Sequence, residues 1–287
     1  MRSVSGKLVI ITGAGSGIGR ALAQQLAGRG ARLALSDVDS VGLAETVAML
    51  PGGQVRADLL DVRDRAAMAR YAASVAEEFS RVDVLINNAG VALTGSVLEL
   101  DYADIEWVLD TDFWGVLNGT KEFLPYLIAS GDGVLVNLSS LFGLLAVPGQ
   151  SAYTAAKFAV RGFTESLRQE MLVARLPVQV CCVHPGGIKT AIARNARAAA
   201  SEDQAALAEF FDRRLAKTSA TRAAEIIVAG MLAGKPKIVV GADARALDLL
   251  VRLLGARYQS LLAGVARRWV PRKLGSGSSA QRQDTTP

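Results

Sequence analysis

Residues 8–19 read LVIITGAGSGIG, an apolar run that leads directly into a glycine-rich turn and then into a helical pattern. The run is apolar almost throughout, as expected of a parallel strand that is covered on both faces. Glycines in such a turn let backbone N–H groups and the helix N-terminus approach a pyrophosphate. The order of strand, turn and helix therefore predicts a dinucleotide-phosphate site, with a plain structural turn as the less favoured alternative. The candidate residues are Gly13, Ser16, Gly17, Ile18 and Gly19.

Outward from this stretch, short apolar runs alternate with helical patterns along most of the chain. The runs cover residues 7–12, 32–36, 54–57, 83–87, 133–138, 178–183 and 237–241. Such alternation predicts an α/β fold with a doubly wound parallel sheet of about seven strands, and right-handed crossovers give it a Rossmann-type topology. We expect residues 1–242 to form one dinucleotide-binding and catalytic domain, because no second domain and no internal repeat is visible.

The pattern changes near the C-terminus. Apolar residues recur at spacings of three and four from Leu247 to Trp269, which predicts an amphipathic helical extension over residues 243–274. We expect this extension to pack on the body of the protein or on another subunit. Peripheral contact of residues 245–270 with an anionic membrane surface is the alternative. Residues 275–287 are predicted to be a disordered tail.

The composition argues against several classes of protein. Of the 287 residues, 51% are hydrophobic and 21% are charged, which allows a sizeable core. The formal charge is +5, whereas residues 245–273 alone carry a net charge of +6, so the body gives no support to nucleic-acid binding. No secretory signal and no apolar run of membrane-spanning length is visible, and the chain is therefore predicted to be cytoplasmic.

Cys181, Cys182 and His184 are the only cysteines and the only histidine of the chain. Adjacent cysteines in a strand point to opposite faces and cannot easily form a disulfide, which fits a reducing compartment. The three side chains make no convincing zinc set, so no metal is expected. Without a Gly-x-Ser-x-Gly turn, a single histidine also argues against a Ser-His-Asp hydrolase and favours a structural or cofactor-side role.

The choice between the two nicotinamide dinucleotides depends on Asp37. This residue ends the second predicted strand, 18 residues after Gly19. A carboxylate at this place can accept hydrogen bonds from the ribose hydroxyls and would repel a 2′-phosphate. Residues 38–40 contain no Arg or Lys that could neutralise it. NAD is therefore favoured over NADP, and simple capping of the next helix by Asp37 is the alternative.

Several motifs in the right order resemble the short-chain dehydrogenase/reductase family over residues 5–242. Residues 12–19 match its Thr-Gly-x-x-x-Gly-x-Gly loop, residues 87–90 its Asn-Asn-Ala-Gly strand end, and residues 185–190 its nicotinamide-seating Pro-Gly turn. The resemblance implies an oxidoreductase that acts on CH–OH groups and assembles as a homodimer or homotetramer. Beyond the phosphate loop, it implies cofactor contacts at Asp61, Val62, Asn88, Ala89, Gly90, Tyr153, Lys157, Pro185, Gly186, Ile188 and Thr190.

Ser140, Tyr153 and Lys157 match the family's catalytic serine and Tyr-x-x-x-Lys pair. Tyr153 and Lys157 are four residues apart in a helix-forming stretch, so they share one face. A phenol normally has a pKa of about 10, and an adjacent cation lowers it. Tyr153 can then exchange a proton with a carbonyl or alcohol oxygen, which the Ser140 hydroxyl can hold beside it. A surface Tyr/Lys pair is the alternative.

Asp112 departs from the family pattern. It stands where the resemblance implies a catalytic Asn that holds a water on the proton path to Lys157. Asn118 is a poor substitute, because six residues along a helix turn its side chain away. A carboxylate can accept a hydrogen bond from such a water, but it donates none unless it is protonated. We expect Asp112 to keep the relay with an altered pH profile; neutral drift is the alternative.

The loops at residues 91–93 and 141–148 are apolar and border the substrate in this family, which favours a hydrophobic ketone or secondary alcohol. Core packing of these residues is the alternative. Residues 191–220 are Ala-rich, helical in propensity, and fall where the family has its substrate-covering lid. The predicted function is hydride transfer between NAD(H) and such a substrate. The alternatives are an NADP-dependent carbonyl reductase and an NAD-binding regulatory or scaffold protein with lapsed catalysis.

Overall fold

The computed structural model describes residues 1–267 of the chain. The strands are β1 (Leu8–Thr12), β2 (Arg32–Asp37), β3 (Val55–Leu59), β4 (Val84–Asn87), β5 (Leu93–Thr94), β6 (Gly133–Leu138), β7 (Val178–Pro185), β8 (Ile188–Lys189), β9 (Arg197–Ala198), β10 (Thr218–Ser219) and β11 (Lys237–Val240). The helices are α1 (Gly17–Ala27), α2 (Ser40–Ala48), α3 (Arg65–Phe79), α4 (Tyr102–Leu109), α5 (Gly115–Ala129), α6 (Ser151–Val173), α7 (Gln204–Phe210), α8 (Ala220–Leu232), α9 (Ala242–Leu254) and α10 (Tyr258–Ala266).

The central sheet has seven parallel strands in the order β11-β7-β6-β4-β1-β2-β3. The predicted α/β fold with a doubly wound, Rossmann-type sheet is therefore confirmed. The chain runs outward from β1 to β3 and then returns to place β4 on the other side of β1. The connections after β1 and β4 lead towards opposite edges of the sheet. In open α/β sheets, such a reversal leaves a crevice at the carboxyl ends of the two strands, where ligands bind. This crevice lies between β1 and β4.

Each face of the sheet is covered by its own apolar cluster. Val9 and Ile11 point to one face, where they pack with side chains of α1 and α8. Leu8 and Ile10 point to the other face, which is covered by α3, α5 and α6. Because both faces are buried, β1 is apolar at consecutive positions rather than at alternate ones.

Replacing Phe123 by Ala should destabilise the protein by about 3–5 kcal/mol. Phe123 is fully buried in α5 and meets the ring of Tyr71 edge to face, with ring centroids 5.8 Å apart. Its removal would leave a cavity that the surrounding helices can fill only in part. Urea unfolding followed by circular dichroism measures the loss. Leu98→Ala is the control, since Leu98 is 93% exposed; equal effects of the two changes would contradict this assignment of the core.

The C-terminal extension differs from the single helical stripe predicted for it. The helix breaks after Leu254, because Gly255 adopts a φ of 53° and a ψ of −139°, and α10 begins after one further turn. Apolar residues of α9 and α10 pack on the loop after β6, so the structure places this part of the extension on the body of the protein. Trp269, the end of the predicted extension and the predicted tail at 275–287 lie outside the described residues.

The region predicted as a helical lid, residues 191–220, is only partly helical. α7 and a π-helical turn occupy Gln204–Leu215. Outside them, β9 pairs with β5 and β10 pairs with β8. The prediction was wrong for these two segments because pairing with distant strands overrides the local preference for helix. Across residues 1–267, none of the helices combines the length and apolar character that a membrane crossing requires.

Candidate active site

The sequence-predicted site residues gather at the carboxyl ends of the central strands. The glycine loop follows β1, Asp37 ends β2, Asn88 follows β4, and Ser140 follows β6. Pro185 ends β7, and the residues after it turn back across the same edge. The fold thus brings together side chains that are distant in sequence, because parallel strands all end at one edge of the sheet.

The glycine loop presents the N-terminus of α1 to a cleft of about 360 Å³, whose lining includes Ser16, Gly17 and Thr190. The first turn of α1 has no acidic residue, and Ser16 makes no side-chain cap hydrogen bond. A Cβ at Gly19 would collide with the carbonyl oxygen of Gly13, so the tight turn requires glycine there. Free N–H groups and the helix dipole suit a phosphate group at this position.

Asn88 and Ala89 hold the glycine loop against β4. The Asn88 side-chain amide donates to the carbonyl oxygens of Thr12 and Gly13, at 2.9 and 2.8 Å. The backbone N–H groups of Asn88 and Ala89 both donate to the Thr12 hydroxyl at 3.1 Å. These two predicted cofactor residues therefore shape the phosphate loop through direct contacts. Next to them, a Cβ at Gly90 would come 3.3 Å from the Lys157 ammonium, so glycine keeps this approach open.

Asp37 organises the same loop from β2. Its Oδ2 accepts a hydrogen bond from the Gly15 N–H at 2.7 Å, and its Oδ1 accepts one from the Asp39 N–H at 3.0 Å. The neighbouring cation, Arg20, is 2.8 Å from Glu45 and donates to the carbonyl oxygen of Gly15. The carboxylate at the end of β2 is thus not paired with this arginine. Capping of α2 is performed by Asp39 rather than by Asp37.

Asp61 and Val62 follow β3 and take different environments. The Asp61 carboxylate is 2.6 Å from the Arg63 guanidinium, which lowers the pKa of Asp61. Val62 is buried, and its carbonyl oxygen accepts a hydrogen bond from the Asn118 amide at 2.9 Å. Asn118 therefore faces this loop and not Lys157, as its spacing from Asp112 predicts.

Tyr153 and Lys157 lie on one face of α6, inside the protein. Tyr153 is 8% exposed, and the Lys157 Nζ lies 5.6 Å from the centroid of its ring. Burial raises the pKa of the phenol, the ammonium of Lys157 and the nearby Ser140 hydroxyl act to lower it, and the charge of Asp112 acts to raise it. The pair is therefore not the exposed surface pair that the sequence left as an alternative.

Ser140 is fixed on both sides. Its hydroxyl accepts a hydrogen bond from the Phe142 N–H at 3.1 Å, and its carbonyl oxygen lies 3.1 Å from His184 Nδ1. Burial lowers the pKa of His184 to about 4, so this ring is neutral at pH 7 and donates from Nδ1 to the carbonyl oxygen. His184 thus positions the backbone of Ser140.

Asp112 lies in a π-helical turn, Asp110–Trp114, that joins α4 to α5. It is fully buried, and its Oδ2 lies 3.2 Å from the Lys157 ammonium. Its Oδ1 accepts a hydrogen bond from the Val91 N–H at 2.7 Å. The residue that departs from the family pattern is therefore in direct contact with the Tyr153–Lys157 pair.

The turn after β7 is held by a residue that the sequence analysis missed. Asp243, in the first turn of α9, accepts a hydrogen bond from the Gly187 N–H at 2.8 Å. A Cβ at Gly186 would collide with the same carboxylate. Ile188 is buried beyond this turn, and Thr190 approaches Gly17 across the cleft. No sequence signal marks Asp243, because 56 residues separate it from Gly187.

The loop after Ser140 divides into two environments. Leu141 and Leu145 are buried in a cluster with residues of α9 and α10, which agrees with the alternative that this loop belongs to the core. Phe142 instead meets the Tyr153 ring edge to face, with centroids 6.1 Å apart. At the far end of the loop, the Ala146 N–H donates to the hydroxyl of Tyr258 at 3.0 Å. The C-terminal helices thereby fix the loop that flanks the phenol.

Replacing Tyr258 by Phe should destabilise the protein by about 1 kcal/mol and raise the KM for the substrate, with little change in dinucleotide affinity. The change removes the hydrogen-bond acceptor of Ala146 but keeps the buried ring. Chemical denaturation and steady-state kinetics measure the two effects. Tyr102→Phe is the matched control, because Tyr102 is 85% exposed. An unchanged KM would show that this hydrogen bond does not position the loop.

Comparisons with known proteins show which family and fold the chain shares. A family model described as short chain dehydrogenase matches residues 7–201. A Mycobacterium tuberculosis protein named oxidoreductase SadH is 59% identical over 273 residues, which cover 94% of this chain and 99% of that protein. Its name specifies neither a substrate nor a cofactor.

Solved structures show the same fold. A short-chain dehydrogenase/reductase from Burkholderia phymatum, in complex with NAD, superimposes with a TM-score of 0.84 at 31% identity and covers 90% of this chain and 97% of its own. An alcohol dehydrogenase from the archaeon Thermococcus sibiricus, complexed with 5-hydroxy-NADP, gives a TM-score of 0.70 at 24% identity, covering 82% of this chain and 95% of its own. The second likeness concerns the fold alone.

Proposed function

Because the chain belongs to the short-chain dehydrogenase family of oxidoreductases, we propose that it transfers hydride between NAD(H) and the carbon of an apolar secondary alcohol or ketone. The observation that carries the proposal is the buried Tyr153–Lys157 pair, which stands beside Ser140 at the carboxyl edge of the sheet. A phenol next to an ammonium group is suited to proton exchange with an alcohol or carbonyl oxygen.

The position of each residue indicates its role in the reaction. Bound nicotinamide would supply or accept the hydride. Tyr153 gives its proton to the carbonyl oxygen in reduction and takes it back in oxidation, while the Ser140 hydroxyl holds that oxygen. The Lys157 ammonium stabilises the phenolate that remains after reduction. The buried setting of α6 strengthens these charge interactions, since water screens them less.

Asp37 supports NAD as the cofactor. Its carboxylate stands at the end of β2, tied to Gly15, and can accept hydrogen bonds from ribose hydroxyls. Arg20, which donates to the Gly15 carbonyl oxygen, forms its ion pair with Glu45 and not with Asp37. Val38, which follows Asp37, is 69% exposed and brings no charge. An NADP-dependent carbonyl reductase is therefore the less favoured candidate.

The surroundings of Tyr153 support an apolar substrate. Tyr153 belongs to a cluster with buried Leu93 and Val108, against which Val91 and Phe142 pack while partly exposed. A substrate oxygen at the phenol would be accompanied by carbon groups against these side chains. Apolar contact of this kind stabilises by about 25 cal/mol for each Å² removed from water.

The experiment for the proposal is titration of the purified protein with NADH and NADPH, followed by nicotinamide fluorescence. Tighter binding of NADH than of NADPH supports the cofactor assignment. Faster reduction of apolar ketones than of sugars, with NADH as the reductant, supports the substrate class. Preference for NADPH would favour the carbonyl reductase instead. Failure to bind either dinucleotide would favour a scaffold protein with lapsed catalysis. Cytoplasmic location, assembly as a homodimer or homotetramer, and membrane contact of residues 245–270 stay predictions.

A further inference from the structure

The Lys157 ammonium is held by an anion inside the active site. Its Nζ lies 3.2 Å from Asp112 Oδ2 and donates to the carbonyl oxygen of Leu138 at 3.3 Å. The other Asp112 oxygen accepts a hydrogen bond from the Val91 N–H at 2.7 Å, which fixes the carboxylate in place. Asp112 and Lys157 are both buried, so solvent screens their interaction only weakly.

The titratable groups that act on this pair come from three elements. Tyr153 shares α6 with Lys157, Asp112 belongs to the π-helical turn before α5, and Cys182 belongs to β7. Burial raises the pKa of the Cys182 thiol to about 12, so Cys182 is neutral at pH 7. Ser140, the remaining polar partner of Tyr153, does not ionise in this range. Burial raises the pKa of the Asp112 carboxyl, but the Lys157 ammonium and the hydrogen bond from the Val91 N–H oppose this effect. As the partner of that ammonium, the Asp112 carboxylate is the negative charge among these groups that opposes Lys157.

The two charges act on the phenol in opposite directions. Burial lowers the pKa of Lys157, but the carboxylate of Asp112 and the phenol oxygen outweigh this effect and raise it, so Lys157 stays charged. Burial itself raises the pKa of Tyr153, Lys157 lowers it, and Asp112 raises it again. An ammonium that is paired with a carboxylate has a weaker field at the phenol than an ammonium that stands alone.

We propose that Asp112 offsets the charge of Lys157, so that Tyr153 stays protonated at neutral pH and acts there as a proton donor to a carbonyl oxygen. The assignment of the reaction rests on the proposed function. In reduction, a C–H bond forms at the carbonyl carbon with the hydride of the nicotinamide, which becomes oxidised. The O–H bond of Tyr153 breaks and a new O–H bond forms on the product alcohol. Oxidation reverses each bond change and requires Tyr153 as the phenolate. With Asp112 in place, the phenolate is populated mainly in alkaline solution.

Asp112→Asn keeps the shape of the side chain and removes its charge. We expect the titration of Tyr153 to move to lower pH by about one pH unit or more, because the charge of Lys157 is then unopposed. The titration is followed by NMR of protein carrying ¹³C-labelled tyrosine, without cofactor or substrate, and Tyr153→Phe assigns the signal. Asp110→Asn is the matched control: Asp110 lies on the same turn but is exposed. Asp112→Ser, which is also neutral, provides a second test if the amide does not fold.

Activity gives a separate readout. In Asp112→Asn, the pH dependence of kcat/KM for alcohol oxidation should move to lower pH by the same amount, since each pH unit is a tenfold change in the phenolate fraction. An unchanged or higher titration of Tyr153 in both Asp112 variants would overturn the proposal. The NMR titration does not need turnover, so a failure of the proposed dehydrogenase function would appear in the kinetics alone.

Discussion

Tyr153→Phe is expected to lower kcat by about 10²–10⁴-fold, the range that general acid–base groups contribute. The phenol is the group that exchanges the proton with the substrate oxygen, and phenylalanine keeps the ring without the hydroxyl. The ring is buried against Phe142, so the replacement should leave the packing in place. Dinucleotide affinity should change little, because the phosphate loop follows β1 whereas Tyr153 lies on α6. Steady-state kinetics and NADH titration measure the two quantities.

Tyr126→Phe is a suitable control, because Tyr126 lies near the C-terminal end of α5 and packs with the core cluster around Phe123. It should retain activity close to that of the unmodified protein. Comparable kcat values for Tyr153→Phe and the unmodified protein would remove Tyr153 from the chemistry. Loss of activity together with loss of NADH binding would instead point to a structural role for the hydroxyl.

The double change Asp37→Ser and Val38→Arg should shift the ratio of NADH to NADPH affinity by about 100-fold towards NADPH. The first change removes the carboxylate that would repel a 2′-phosphate, and the second places a cation at an exposed position beside it. A hydrogen bond to a charged group is worth about 1.5–3 kcal/mol. Since about 1.4 kcal/mol is tenfold in affinity, two such effects at the lower end of this range give this magnitude.

Asp39→Ser is the control for this experiment, because it also removes a carboxylate near the loop. Asp39 caps α2 by accepting from the Val41 and Gly42 N–H groups at 3.1 Å, so its loss should affect stability more than selectivity. Fluorescence titration of each variant with both dinucleotides gives the ratios. If the double variant still preferred NADH by the original ratio, Asp37 would not be the residue that discriminates.

The sheet and much of the candidate site could be predicted from the sequence. Apolar runs such as residues 133–138 are strong signals, because a parallel strand that is buried on both faces has few polar positions. The predicted strand ends are then sufficient to place Asp37 and Ser140 at the carboxyl edge of the sheet, and the packing of the helices need not be known. The ends themselves were less accurate: β7 runs on to Pro185, since pairing with β11 continues past the apolar run.

Contacts between distant segments could not be predicted. The hydrogen bond between Ala146 and Tyr258 joins residues 112 positions apart, and neither residue carries a motif. The break at Gly255 was missed because the apolar spacing continues across it in sequence. Asn88 shows a third kind of limit. The resemblance implies a cofactor contact at Asn88 but did not predict its structural role, in which its amide donates to the carbonyl oxygens of Thr12 and Gly13.

The strand order has a consequence for how the chain reaches its native state. β1 pairs with β4, and the partners Val9 and Val84 lie 84 − 9 = 75 positions apart in the sequence. Contacts between segments that are distant in sequence form slowly, because closing the intervening loop costs conformational entropy before the contact can stabilise the chain. Until β4 arrives, Asn88 cannot hold the glycine loop, and a half-assembled chain has no place for a dinucleotide. Recovery of NADH binding during refolding is therefore expected to lag behind the return of helical signal, and added NADH should stabilise the finished protein by mass action.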